Sequence, residues 1–474
     1  MSRARLARAL VLCLALASGA APAAADAAID WRAAAEETAR LLAGYIRIDT
    51  TNPPGNELAG ARYLERFLRG EGLGAEVYPS APGRGNVLAR LPAARPDPRR
   101  GPILLLSHID VVPAEASVWS FPPLSGEIRD GWVWGRGALD DKGHGVVFAM
   151  ALALLQREGV VLRRDLVFCA TAAEEAGTGG ADWMVANHWD ALGPPAVVWN
   201  EGGGALVHPL ARDRVVNGIA TTEKRALWIT LVTEGESGHG SQPLRDGAVA
   251  RLARALDRLD RWETPLRLTT TVAESFRRAG EPLGFPFAFA LRHLGNPVVL
   301  ALASSRLTSN RVTNAMVRDT VSLTGLRAGL KHNVIPGRAE ATLDVRLLPD
   351  TDAAAFLADL ERAIGDSRVR IEGIPDPLPP VLEQSPVANE LFAAIAVEME
   401  REIPGSISVP TQTTGGTDSS WFRARGVPAY GFIPAQLSDE LVASIHGTDE
   451  RASIAELERA LRVTYRVLLR LAAE

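Results

Sequence analysis

Five stretches of this sequence set ionisable groups where the chain is otherwise apolar or glycine-rich. "ILLLSHIDVVP" (103–113) carries His108 and Asp110, "GRGALDDKG" (135–143) carries Asp140 and Asp141, and "ATAAEEAGTGG" (170–180) carries Glu174 and Glu175. "VVWNEGGG" (197–204) adds Glu201, and "ASIHGTDERASI" (443–454) adds His446. Each alone has an ordinary reading, since a strand-end histidine is commonly a satisfied core group and paired acids commonly cap helices or face solvent. Together they are two histidines and several carboxylates, flanked by small residues that let the backbone approach closely. Carboxylates crowded at buried positions repel one another and stay protonated unless a cation neutralises them. The chemistry indicated is metal binding, with His108 as a ligand and Asp110 holding its ring from behind.

Residues so far apart need a scaffold that gathers them. "AEETARLLAGYIRI" (35–48) and "ELAGARYLERFLR" (57–69) have helical periodicity, with Pro53, Pro54 and Gly55 breaking the chain between them. "NVLARL", "PILLLSH", "DLVFCATA" and "AVVWNE" read as buried strands, and the apolar helix "GVVFAMALALLQRE" lies between the second and third. That alternation predicts an α/β catalytic domain, a mostly parallel sheet flanked by helices, whose strand carboxyl ends collect the ionisable groups. Near residue 222 the texture changes. "ALWITLVTEGES" and "AEATLDVRLL" alternate like strands with one exposed face, each followed by a helix, "GAVARLARALDRLDRW" and "DAAAFLADLERAIG". This predicts a smaller α+β domain over 222–380, inserted between catalytic parts at 26–221 and 381–474 and ending at the Pro-rich "IPDPLPPV". Within it, residues 262–320 form a long apolar segment, read either as core helices or as a lid lining an apolar substrate pocket. Arg292, His293, Asn296 and Pro297 interrupt it, so no stable membrane span is expected.

Residues 1–25 differ from the rest. Arg3, Arg5 and Arg8 precede an apolar run and then "ASGAAPAAADA", the pattern of a secretory signal peptide cleaved after Ala25. The protein is therefore expected to be exported, periplasmic or secreted. Loss of the leader takes three arginines from a chain of net charge −5, leaving −8, which excludes the basic surface that nucleic acid requires. Of the two cysteines, Cys13 leaves with the leader and Cys169 sits in an apolar run, so the mature chain has no internal disulfide and Cys169 reads as a core residue.

"SHIDVVP", "GRGALDDKG", "TAAEEAG", "NEGGG", "SGHGSQP", "HNVIPGRAEATLDVRLLPD", "GGTDSSWF" and "IHGTDER" occur in that order. They resemble the motifs of metallopeptidase family twenty, which includes glutamate carboxypeptidase, the aminoacylases and carboxypeptidase S. Two longer phrases are most similar to the carboxypeptidase S and secreted N-acyl amino acid hydrolase branch. The resemblance implies a zinc-peptidase domain with an inserted lid and dimerisation domain, and two zinc ions per subunit, with cobalt or manganese as alternatives. His108 and Glu201 would hold one ion, Glu175 and His446 the other, and Asp140 both; the peptide bond after that aspartate is cis in the family. Glu174 would be the general base beside Asp110, and His239 would stabilise the oxyanion, in a homodimer formed through the inserted domain. Arg346, Asn333, Gly415, Gly416 and Thr417 would bind the substrate carboxylate. Arg136 and Lys142 read as supporting residues, and His144, His188, His208, His293 and His332 as structural. The implied reaction is hydrolysis of an amide beside a free α-carboxylate, in a small peptide or an N-acyl amino acid. An aminopeptidase or dipeptidase of the same fold is the alternative, and a catalytically silent binding protein the remote one.

Overall fold

The computed structural model describes residues 29–175 and 177–473, so the leader read over 1–25 and Cys13 lie outside the described residues. The chain opens with helices α1 (Trp31–Ile46) and α2 (Glu57–Gly70), then strands β1 (Gly74–Ala81), β2 (Arg84–Leu91) and β3 (Ile103–His108). Short strands β4 (Glu127–Arg129) and β5 (Trp132–Trp134) precede helix α3 (Lys142–Arg157). There follow β6 (Leu166–Thr171), β7 (Val197–Val207), β8 (Val215–Glu223), β9 (Arg225–Glu234) and β10 (Gly238–His239). Next come α4 (Ala248–Asp260), α5 (Thr270–Ala279), α6 (Phe287–Arg292), α7 (Pro297–Ser309) and α8 (Arg311–Met316). Strands β11 (Thr320–Ala328), β12 (Val334–Ile335) and β13 (Arg338–Leu347), helix α9 (Ala353–Ile364) and strand β14 (Val369–Glu372) complete the middle of the chain. The C-terminal part holds α10 (Glu390–Glu402), β15 (Ile407–Thr413), β16 (Ala429–Gln436), β17 (Arg451–Ser453) and α11 (Ile454–Ala472).

Two compact units emerge. One comprises residues 1–219, 385–409 and 425–474, and the other residues 220–384 and 410–424. Residues 410–424, with Gly415, Gly416 and Thr417, therefore fall in the second unit, whereas the motif order had set all of 381–474 in the catalytic part. The helix-flanked, mostly parallel sheet expected from the sequence is present, in the order β1-β2-β6-β3-β7-β16-β8-β15. Its centre is parallel, β3 lying between β6 and β7 and β16 alongside β7, while β1, β2 and β6 pair antiparallel at one side. Every residue of β3 and of β6 is buried, which is why both read as unbroken apolar runs. Helix α3 is apolar on all sides and buried from Lys142 to Leu155, and it packs against α1 and α11. Cys169 is buried in β6.

The second unit is an antiparallel sheet in the order β11-β13-β9-β14, with α4 and α9 on one face. Period two decides which side chains meet those helices: Leu227, Ile229 and Leu231 of β9, and Ala341, Leu343 and Val345 of β13. Trp228, Thr230, Thr342, Asp344 and Arg346 project from the other face. The core-helix reading of 262–320 fails for its middle. Helices α6, α7 and α8 form there, but Phe285 is 86% exposed and Leu302 83%. Among the described residues, no helix is long and apolar enough to cross a membrane.

Lys224 is buried in this unit and donates to the Arg318 carbonyl and the Thr320 hydroxyl at 3.0 and 2.9 Å. Burial lowers its pKa to about 8 from an ordinary 10.5. Between these values the unfolded chain holds a proton that the folded chain has released, so this residue makes stability rise with pH across that window. In Lys224→Met that rise is absent. The stability of wild type relative to the variant, measured by urea unfolding, is therefore expected to climb from pH 8 to pH 10; a pH-independent difference would refute this.

Candidate metal centre

Three neighbouring parallel strands supply residues to one place in the first unit, from the end of β3, the turn after β6 and the middle of β7. His108 is the last residue of β3 and stands opposite Thr171, the last of β6. Beyond Thr171 the chain turns sharply: Ala173 adopts φ 58°, a left-handed conformation uncommon outside glycine, and Glu174 and Glu175 follow in a turn. Glu201 lies in β7, two residues past Trp199, which is paired with β3. Asp140 arrives from the loop between β5 and α3, and the peptide bond after it is cis. His446 comes from the C-terminal segment, also in a left-handed conformation at φ 57°. What brings its loop to Asp140 is a short antiparallel pairing of β17 with β5 that sets Arg451 opposite Trp134.

Asp140 is shared. Its Oδ1 lies 2.9 Å from His108 Nε2 and its Oδ2 3.0 Å from His446 Nε2. Glu201 Oε1 is 3.8 Å from His108 Nε2, and Glu175 Oε1 is 3.0 Å from His446 Nε2. Ligand-type atoms of His108, Asp140 and Glu201 thus form one group, and those of Asp140, Glu175 and His446 a second, each within 4.8 Å. Glu174 joins His108 and Glu175 in a third. Strand β6 ends before Glu174 and Glu175, and both carboxylates reach the same cluster.

The electrostatics suit a cation. Burial followed by the Asp140 charge drives the Glu201 carboxyl well above its ordinary range. Burial would lower the His108 imidazole, but its contacts with Asp110 and Asp140 outweigh that and hold it well above the usual value. Hydrogen bonds to Asp140 and then Glu175 raise His446 to about 10. His108 Nδ1 lies 3.0 Å from the Asp110 carbonyl and 3.5 Å from its carboxylate, so Nδ1 carries the ring proton. Without a cation the raised pKa keeps a proton on Nε2 as well, facing the carboxylates of Asp140 and Glu201; a divalent cation would take the place of that proton. The donor set of imidazole and carboxylate suits zinc, cobalt or manganese.

Asp110 does more than orient a ring. Fully buried, it accepts the backbone amides of Glu174 on Oδ1 and Glu175 on Oδ2, both at 3.1 Å. Asn52 Nδ2 donates to Oδ2 at 2.9 Å, and Arg84 donates to the Asn52 carbonyl oxygen at 3.0 Å and to buried Glu57 at 3.1 Å. Asn52, Glu57 and Arg84 escaped the sequence reading, which used that stretch only for its chain-breaking prolines. Polar residues beside them were the available signal. Of the supporting residues, Lys142 donates to the carbonyls of Tyr45 and Ile48, and Arg136 pairs with buried Glu450.

The remaining sequence-derived residues lie in the second unit. His239 of β10 pairs with Val334 of β12, and the Gly240 amide donates to the Asn333 carbonyl at 2.9 Å, so His239 and Asn333 are neighbours. His239 is exposed, with Ser241 at 2.7 Å from Nδ1. Arg346 is held by both carboxylate oxygens of Asp344, at 2.8 and 3.3 Å, and lies 5.6 Å over the Trp228 ring. A cavity of about 350 Å³ opens beside them, lined by Trp228, Thr230, Thr324, Thr342 and Asp344. Thr417 is tied into the protein. Its hydroxyl donates to buried Glu223 at 2.6 Å and accepts the Ser419 amide at 3.2 Å, so its proton is committed inside the protein.

Residues 104–470 match the profile of "Peptidase family M20/M25/M40". The human N-fatty-acyl-amino acid synthase/hydrolase PM20D1 is 30% identical over 378 residues, covering 78% of this chain and 74% of that protein. Pig aminoacylase-1 is 26% identical over 440 residues, covering 91% and 95%. Among solved structures, the M20 family metallo-carboxypeptidase Sso-CP2 from Sulfolobus solfataricus superposes with a TM-score of 0.68 at 20% identity, covering 91% of this chain and 98% of that one.

Proposed function

The chain belongs to peptidase family M20/M25/M40 and is a metal-dependent hydrolase, and on that premise we propose that it cleaves an amide bond beside a free α-carboxylate, using two zinc ions per subunit. The observation that carries this reading is Asp140 presenting one carboxylate oxygen to each of two histidines. His108 and Glu201 would hold one ion, His446 and Glu175 the other, and Asp140 both. Bound there, the ions supply Lewis-acid polarisation of the substrate carbonyl and bring the pKa of water to about 7.

The residues of the chain do the rest. Asp110 fixes the backbone from which Glu174 projects, and Glu174 takes a proton from the attacking water and returns it to the leaving nitrogen. His239 stabilises the charge that develops on the carbonyl oxygen. Arg346 receives the substrate carboxylate on the edge not occupied by Asp344, with Asn333 and the amides of Gly415 and Gly416. Because the Thr417 proton is committed to Glu223, that residue shapes the loop instead of donating to substrate. Substrates are small peptides or N-acyl amino acids. The exposed apolar helices of 262–320 favour an acyl chain, and the human relative is named for N-fatty-acyl amino acids.

Four outcomes test this. N-acylated substrates with a free C-terminus are expected to turn over and C-terminally amidated ones to resist, in a mass-spectrometric panel; the reverse pattern would favour an aminopeptidase. Glu174→Gln is expected to retain both metals by elemental analysis while losing about three decades of kcat, within the range for acid–base catalysis; near-normal turnover would remove Glu174 from the mechanism. We propose homodimerisation through the inserted unit, which light scattering tests, a fully active monomer refuting it. Export with cleavage after Ala25 predicts a mature N-terminus at Asp26 on protein sequencing.

A further inference from the structure

The sequence reading gave Glu450 no role, yet it makes the densest set of polar contacts around the cluster. Its side chain is fully buried. Oε2 accepts Arg136 Nη1 at 2.6 Å and the Gly137 amide at 2.9 Å, while Oε1 accepts the amides of Leu139 at 2.7 Å and Asp140 at 3.0 Å. Arg136 is itself buried and extends a second arm, Nη2, to the Gly447 carbonyl at 2.7 Å. The Glu450 carbonyl accepts the Gly135 amide at 2.9 Å. Four of these contacts fix the loop that carries Asp140, and the Gly447 contact fixes the residue next to His446.

A buried ion pair of this kind is weak evidence for stability, because desolvation offsets the attraction between the charges. What this pair does have is position. Asp140 must turn a different oxygen to each histidine, and His446 reaches it from a segment about three hundred residues along the chain. Their relative placement rests on few elements, chiefly the three-residue pairing of β5 with β17. A carboxylate that collects backbone amides from one loop, joined to a guanidinium that grips the backbone of the other, sets the separation of the two ligands without touching either side chain.

We propose that Glu450 and Arg136 are positioning residues that couple the backbones of Asp140 and His446, and so set the affinity of the site for a divalent cation. The proposal rests on the two-metal reading above. Residues that orient ligands from behind in this way commonly carry a 10- to 100-fold effect on metal affinity.

The test uses purified full-length protein, zinc affinity by chelator competition and the visible absorption of the cobalt-loaded form. Glu450→Gln keeps size and hydrogen-bonding capacity but sets an amide NH2 against N–H donors. Its zinc affinity is expected to fall about 10- to 100-fold and its cobalt bands to shift, with cooperative unfolding of the metal-free form retained. Arg136→Lys keeps a cation beside Glu450 but cannot also reach Gly447, so it is expected to weaken one of the two ions and spare the other. This second variant carries the test should Glu450→Gln fail to fold. Folded variants with wild-type zinc affinity and an unchanged cobalt spectrum would overturn the proposal. Wild-type protein that binds fewer than two ions, or keeps both after His446→Ala, would instead overturn the two-metal reading, and the two failures are thereby distinguished.

Discussion

Asp140 faces two imidazoles, one through each oxygen, and Glu201 and Glu175 approach the same Nε2 atoms of His108 and His446. Three carboxylates gathered so closely repel one another, and in the absence of a cation the protons held on His108 and His446 offset that repulsion. On the two-metal reading, cations would take over that role. The architecture of the first unit follows from supplying those five side chains at that point. Three adjacent parallel strands provide three of them, His108 at the end of β3, Glu175 just past β6 and Glu201 within β7 beyond its pairing with β3, ligands in such sheets gathering toward the carboxyl ends of the strands. The other two come from loops set side by side by a minimal antiparallel pairing.

The same device holds both halves of the cluster. Asp110 accepts the amides of Glu174 and Glu175, and Glu450 accepts those of Leu139 and Asp140. In each case a fully buried carboxylate grips backbone, and the functional side chain projects from a main chain already fixed. Fixing the main chain leaves the ligand carboxylates free to present their lone pairs to a cation, which a direct side-chain hydrogen bond would consume. It also explains how left-handed backbone at Ala173 and His446 persists, since surrounding contacts over-determine it.

The second unit offers a different surface. Its sheet is covered on one face, and on the other Arg346 is clamped between the Asp344 carboxylate and the Trp228 ring beside a cavity lined by threonines. Such a clamp fixes the direction of the guanidinium at the cost of two of its donors. Glu223 acts on Thr417 in a comparable way. Helices α6 to α8 stay largely exposed, although an apolar sequence such as that of α7 is ordinarily buried.

Much of this was legible in the sequence. Period two in "AEATLDVRLL" identified both faces of β13, and unbroken apolar runs identified β3 and β6, because burial is a local demand that each side chain meets by itself. The ionisable residues were conspicuous for the same reason, as acids and histidines break an apolar run visibly. The sequence was silent where a role depends on a partner remote along the chain. Asn52 looks like part of a proline turn and Glu450 like one more acid in a charged loop. Only the folded chain sets the first against Asp110 and the second against the amide of Asp140. It was likewise the folded chain that spent the Thr417 proton on Glu223 and turned Glu174 and Glu175 toward one cluster. Sequence alone determined which residues could bind a cation and which segments must be buried, since these are properties of side chains and their periodicity. Tertiary structure decided which oxygen faces which nitrogen, because that geometry is set by backbone contacts between segments hundreds of residues apart.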